Sequence, residues 1–342
     1  MIPMRARATL ALAAAVALTI SPPAFAQVNI VGYWNPLVAD EDFIERVPGP
    51  NVGDYAGLPI TQAARKRANT WEASLLTLPE HQCKPHPSTY GFRGIGVLRV
   101  WEDRDPQTQQ LVRIKTHIQW QEQERDIWMD GRPEPSDLEP HTWQGFSTGK
   151  FEGDVLVVRT THLKAGWIRR NGLPLSDRAT MTERFIRHGD LLTHVMMVED
   201  PVYLSEPLVK TNGFAVAPTG SMEPYPCRPA VEVPRDAGEV PHHGIDDVPP
   251  TREFAERHGI PEEAAAGGAA TALPEYMAKL PSLPLVEPKG DPNEGFGPPP
   301  APPAGRGAGP GRGRGAGPGG TSPGGAGPGG PAAAGGTGRG RQ

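Results

Sequence analysis

The stretch His141–Asp190, HTWQGFSTGKFEGDVLVVRTTHLKAGWIRRNGLPLSDRATMTERFIRHGD, decides the fold class, because it carries two hairpins punctuated in the same way. Phe151 leads into Glu152-Gly153-Asp154 and then VLVVRTTH; Arg187 leads into His188-Gly189-Asp190 and then LLTHVMMV. A three-residue connection containing glycine is a common hairpin turn, since glycine reaches positive φ without a Cβ clash. The flanking runs are rich in Val, Thr, Phe and Met, and are too short and too β-branched for helices.

With Arg187 opposite Leu191, the side-chain period of two places Met181, Glu183, Phe185, Thr193, Val195 and Met197 on one face of the second ribbon. Thr180, Thr182, Arg184, Ile186, Leu192, His194, Met196 and Val198 fall on the other. The first face reads as core, yet it holds a carboxylate. A Glu183 buried among Met, Phe and Val is unfavourable unless paired or hydrogen-bonded, so it is expected to line a cavity. In the first ribbon Phe146, Leu156 and Val158 share one face, and Phe151, Val155 and Val157 share the other.

Upstream, IGVLRVWE, LVRIKTHIQW and ERDIWMD between Gly94 and Asp130 predict three more strands. In the middle one Val112, Ile114, Thr116, Ile118 and Trp120 alternate with Arg113, Lys115, His117 and Gln119, which gives a buried and a wet face. Leu208–Val216 supplies a further strand. Many short strands joined by turns, with no βαβ rhythm, predict a mainly β fold: an antiparallel barrel of lipocalin (calycin) type, or failing that a sandwich. One N-terminal helix is predicted from about Thr61 to Leu76, where Ile60, Ala64, Ala68, Trp71 and Leu75 recur at helical spacing, Thr61 caps the start and Pro79 stops it.

The ends of the chain read differently. Arg5 and Arg7, the apolar run Ala8–Ile20 and Ala24-Phe25-Ala26 form a secretory signal pattern over residues 1–26, so the expected address is periplasmic or secreted. No transmembrane segment is expected after cleavage. The β domain then runs over 27–232, a proline-rich arm with short helices near Thr251–His258 and Pro274–Leu280 over 233–294, and a disordered Gly/Pro/Arg tail over 295–342. Formal net charge is −5. Arg5 and Arg7 lie in the signal and five arginines in the acid-free tail, so residues 27–294 carry −12. An acidic exported body whose basic tail lacks interleaved aromatics argues against a nucleic-acid partner.

The only cysteines, Cys83 and Cys227, are expected to form a disulfide in an oxidising compartment. His81, Cys83 and His86 have a superficial metal spacing, but no fourth ligand lies nearby, and neither a metal nor another cofactor is expected. Ser147 in GFSTG has glycines two residues to either side, yet it lies in a hairpin and not at the strand-to-helix turn of a nucleophile elbow.

DGRP (130–133), HTW-x-GFSTG, x-GD-x-LVV, TTHLK, RNG-x-P-x-SD, RHGD and DPVYL resemble the motifs of a large family of secreted bacterial proteins without an assigned chemistry. The resemblance spans about Cys83–Pro207. Phe151 stands where the family usually has Trp, Glu134 where it often has His, and Leu175 where many members have His.

Three functions compete. The first is a barrel that binds a small, partly apolar molecule in its cavity. The second is an acid–base enzyme of lyase, isomerase or hydrolase type that uses the polar residues between Asp130 and Asp190. The third is a structural or interaction protein of the envelope. Candidate catalytic residues are Glu183, His162 and Asp177, and candidate ligand-binding residues are Lys164, Arg170, Asp130 and Arg132, because a returning loop would gather acids and bases at a barrel mouth. Oligomeric state is not legible.

Overall fold

Alternating apolar runs of six to nine residues fold as nine principal strands: β1 Gly32–Leu37, β2 Leu98–Arg104, β3 Leu111–Ile118, β4 Gln123–Trp128, β5 Phe146–Glu152, β6 Val155–Thr161, β9 Thr180–His188, β10 Leu191–Glu199 and β11 Leu208–Val216. The two-residue strands β7 (Gly166–Trp167) and β8 (Pro174–Leu175) pair separately. The computed structural model describes residues 28–37 and 51–284, apart from 73, 76, 77, 79, 80, 93–95, 226, 228–235, 237 and 245. The expected signal segment 1–26 and tail 295–342 lie outside the described residues.

The nine strands close into a barrel in the order β1-β11-β10-β9-β6-β5-β4-β3-β2. It is mixed, which corrects the antiparallel expectation: β4 and β5 run parallel, with Ile127 opposite Ser147 and Trp128 opposite Thr148. A parallel pair cannot be joined by a tight hairpin, and here the crossover 129–145 makes the connection.

Both hairpins turn over two residues, not three. Glu152 pairs with Val155 and His188 with Leu191, with Gly153 (φ 64°) and Gly189 (φ 58°) first in each turn. Glycine alone takes that position comfortably. The shorter turn moves β10 by one residue relative to the expected register, and a one-residue slip exchanges the faces of a strand. Met181, Glu183 and Phe185 of β9 do point inward, but their inward neighbours on β10 are Leu192, His194, Met196 and Val198. The same correction applies to the first hairpin, where Phe151 lies opposite Leu156 and packs on the core.

β5, β9 and β11 begin, and β6 and β10 finish, at one end of the barrel; the glycine turns lie at the other. The barrel interior is filled by Trp34, Leu98, Val100, Ile114, Ile127, Leu156, Val158, Phe185 and Phe214, among others. Each such side chain contributes about 1.5–3 kcal/mol by burial. A second apolar cluster sits over the end away from the turns, where Ala64 and Ala68 of helix α1 (Gln62–Asn69) meet Ile168, Leu173, Leu175, Met181, Met196, Val198 and Leu208. Thr61 caps α1 by accepting from Ala64 N, but the helix ends at Asn69, well short of Leu76. Its start is pinned to the β10–β11 connection by Thr61 N donating to Tyr203 O and Ser205 N donating to Pro59 O.

After β11 the chain returns over this end. Cys83 and Cys227 are bonded, with Cα atoms 5.5 Å apart across 144 residues of sequence. Helix α2 (Pro250–His258) stops at Gly259 in the left-handed region, and Pro274–Lys279 is helical too. Arg65 clamps the arm to the body by donating to Ala266 O and Gly267 O. No helix among the described residues is long and apolar enough to cross a membrane.

Candidate functional site

The sequence-predicted residues divide between three places. Glu183 is fully buried inside the barrel, where Arg125 of β4 binds its carboxylate at 2.5 and 3.2 Å and His194 Nε2 donates to Oε1 at 2.9 Å. Asn212 Nδ2 lies 3.0 Å from His194 Nδ1, which fixes the imidazole proton on Nε2. Burial alone would push the Glu183 carboxyl up; the Arg125 guanidinium and the bonds from His194 and Arg125 outweigh it and hold the group below the usual carboxylate range. The void beside Arg125, lined by Ser88, Phe92, Thr116, Gln123 and Gln144, measures about 10 Å³. That is room for about one water molecule. Glu183 therefore has no substrate-sized space beside Arg125.

His162, Lys164, Arg170 and Asp177 are not inside. They lie on the connection between β6 and β9, at the barrel end beneath α1. Asp130 and Arg132 are elsewhere again and engage each other: Arg132 donates to both Asp130 oxygens and stacks over Trp128, 3.4 Å from the ring centroid. The hydrogen bonds from Arg132 lower the Asp130 pKa. DGRP is thus a self-satisfied turn.

Two clefts open at the loop-bearing end, and Asp177 lines both. The first, about 530 Å³, is lined by Trp71, Trp143 and Trp167 with Lys84 and Arg67, among others. Trp71 and Trp167 meet edge to face at 5.0 Å. Lys84 Nζ sits 5.6 Å from the Trp143 ring and 5.4 Å from the Trp167 ring, and Lys164 Nζ is 5.4 Å from Trp143 on the same indole. Lys84, Arg67 and Lys164 make no ion pair among the described residues. Gly172, at φ 91°, lets the loop press on Trp71; a Cβ there would come within 2.3 Å of it.

No protein family, curated protein or solved structure matches the chain. The chemistry has to be read from the clefts themselves.

The second cleft, about 590 Å³, is lined by His141, His162, Asp177, Arg178, Asp137 and the Arg159–Glu134 pair, among others. Its loop is held in place by Asp200, a buried carboxylate that accepts from Ser176 N and Oγ, both at 2.7 Å, and from Val202 N and Tyr203 N. His162 occupies the left-handed region at φ 55°, an uncommon conformation for a residue with a side chain. Both its ring nitrogens are engaged: Nδ1 accepts from Thr161 Oγ1 at 2.8 Å and Nε2 donates to Ser136 O at 2.9 Å. His141, whose ring lies 5.2 Å from that of His162, donates from Nδ1 to Leu163 O at 2.8 Å.

The sequence reading missed Trp71, Trp143, Trp167, Lys84, His141, Arg178 and Asp200. The HTW-x-G and DPVYL motifs contain three of them, so a motif signal existed; their meeting point had none. His86 is buried and stacked on Trp120 at 4.6 Å. Burial first, and then Arg170, push its pKa down to about 3, so it is a neutral core histidine. Ser147 is likewise interior, bonded to Thr160 Oγ1 at 2.9 Å. Among the described residues no cluster of three metal-ligating side chains forms.

Proposed function

We propose that the protein binds a small planar molecule carrying a negative charge in the tryptophan cleft at the barrel's end. The observation that carries this reading is the placing of Lys84 between two indoles, with Arg67 and Lys164 close by and, among the described residues, no carboxylate paired to any of them. Unpaired cations over aromatic faces favour a ligand that stacks through an apolar ring and presents an anion. A volume of about 530 Å³ falls within the usual range for small-molecule sites. Binding inside the barrel, as lipocalin-type proteins do, has less support, because large apolar side chains and the Glu183 pair occupy its interior. Export is part of the proposal, resting on the signal pattern of residues 1–26 and on a disulfide suited to an oxidising compartment.

The test is a titration of aryl carboxylates, from benzoate to naphthoate, against intrinsic tryptophan fluorescence. Saturable quenching is expected in the wild type, lost in Trp167→Ala and weakened about tenfold or more in Lys84→Met, since one ion-paired contact contributes about 1.5 kcal/mol or more. Quenching that is equal in all three proteins, or absent in all, sinks the reading.

A further inference from the structure

We propose that the second cleft is a hydrolytic site in which His141 acts as general base toward a small carboxylic ester. The ring is arranged for that role. Nδ1 carries its proton to Leu163 O at 2.8 Å, so in the neutral ring Nε2 holds a lone pair. Nε2 makes no bond among the described residues and is not enclosed, and His141 lines the cleft, so its lone pair is open to a substrate there. The carbonyl that fixes this tautomer is itself placed by the left-handed turn at His162, with Thr142 N bonded to His162 O and Lys164 N to Thr142 O at 2.9 Å each. Backbone strain next to a catalytic group is a familiar way of holding geometry. His162 is a positioning residue, since both its nitrogens are already bonded.

Arg178 supplies the complementary charge. It lines the same cleft, is exposed, and makes no ion pair or side-chain hydrogen bond among the described residues. The backbone of Arg178 is fixed by its N–H donation to Ser176 Oγ, which Asp200 anchors in turn. A guanidinium without an ion pair among the described residues, lining the same cleft as a histidine base, suits a substrate whose oxygen becomes negative in the transition state. Water is the nucleophile, because the Thr161 hydroxyl is committed to His162 Nδ1.

The chemistry balances without a cofactor. His141 Nε2 takes a proton from water as the water oxygen bonds to the acyl carbon, and the former carbonyl oxygen becomes an oxyanion beside Arg178. On collapse the bond from carbon to the alkoxy oxygen breaks, and the proton on Nε2 passes to that departing oxygen. One ester and one water give one acid and one alcohol, and the imidazole is restored.

The experiment uses the full-length chain with p-nitrophenyl acetate, following release of p-nitrophenol. The wild type should hydrolyse it with a normal solvent deuterium isotope effect, and His141→Gln, which keeps an N–H able to donate to Leu163 O, should lose about a hundredfold in rate at an unchanged melting temperature. Arg178→Met, at an exposed position, should lose about tenfold or more. Benzoate at concentrations that saturate tryptophan quenching should leave the hydrolysis rate unchanged, which separates this site from ligand binding in the tryptophan cleft. A wild-type rate no greater than that of the denatured chain overturns the proposal, as does full activity in His141→Gln. Should His141→Gln fold poorly, full activity in Arg178→Met overturns it alone.

Discussion

The barrel's interior and its loop-bearing end use the same residue types to opposite ends. Inside, Glu183 meets Arg125 and His194 with almost no exposed surface, every charge answered by a neighbour. At the end, Lys84, Arg67, Arg178 and Asp177 stand without ion-pair partners among the described residues, facing two clefts. A paired buried charge has done its work when the chain has folded, whereas an unpaired charge at a cleft keeps its interaction free energy for something that arrives. Perturbed titration alone would have pointed to the wrong place.

The contrast should be visible first in stability. Removing one partner of the interior pair, as in Arg125→Met, leaves a buried carboxylate unanswered and should cost about 3–5 kcal/mol in urea unfolding. The double variant Arg125→Met/Glu183→Leu should recover much of that loss, and a double variant no better than the single one would mean the pair is not the coupled unit described here. Next in size, replacing both cysteines by serine should cost about 2–5 kcal/mol and lower the melting temperature, because the bond ties the returning chain to the barrel end.

Acid should act on the interior as well. His86 keeps a folded pKa of about 3, below its unfolded value of about 6.5, so its neutral form favours folding above that value. Stability is fully present above about pH 6.5 and falls as protons bind only the unfolded chain; the loss reaches roughly 3 kcal/mol by about pH 4. His86→Phe should flatten this slope. Glu183, whose pKa is also lowered, adds a loss of the same sign that begins only in the usual carboxylate range. The smallest expected change in stability is at the clefts: Lys84→Met and Arg178→Met should each unfold within about 0.5 kcal/mol of wild type. A larger change at either would erase the distinction between the two regions.

How much of this could be read from the chain depended on the range of the interaction. Alternation placed β3, β6 and β9, and it placed Glu183 inward, because a strand's faces are a local property. It put His194 on the outside, since GD after Arg187 and His188 is compatible with a turn of either two or three residues, and only the sheet's closure chooses. Arg125 lies 58 residues from Glu183, on a strand where nothing marks it as a partner. The clefts were less legible still. The tryptophan cleft draws on α1 and the residues just after it, the segment around Lys84, the crossover before β5, the β6–β9 connection, the β10–β11 connection and residues 240–242, six stretches whose meeting no period encodes. His162 and Asp177 line one cleft, while Glu183, grouped with them because it lies close in sequence, is inside the barrel.

The glycine turn after β9 has a consequence for how this protein can change over generations. Tips of exposed hairpins are ordinarily where chains accept an extra residue. Between His188 and Leu191 that tolerance disappears: one added residue paired in register would rotate the whole of β10, carrying Leu192, His194, Met196 and Val198 to the outside and delivering Thr193, Val195 and Met197 to the interior. Glu183 would lose its histidine although no residue near it had mutated. Length variation among descendants of this sequence should therefore collect in the crossover 129–145 and the β6–β9 connection, and spare the two-residue turns.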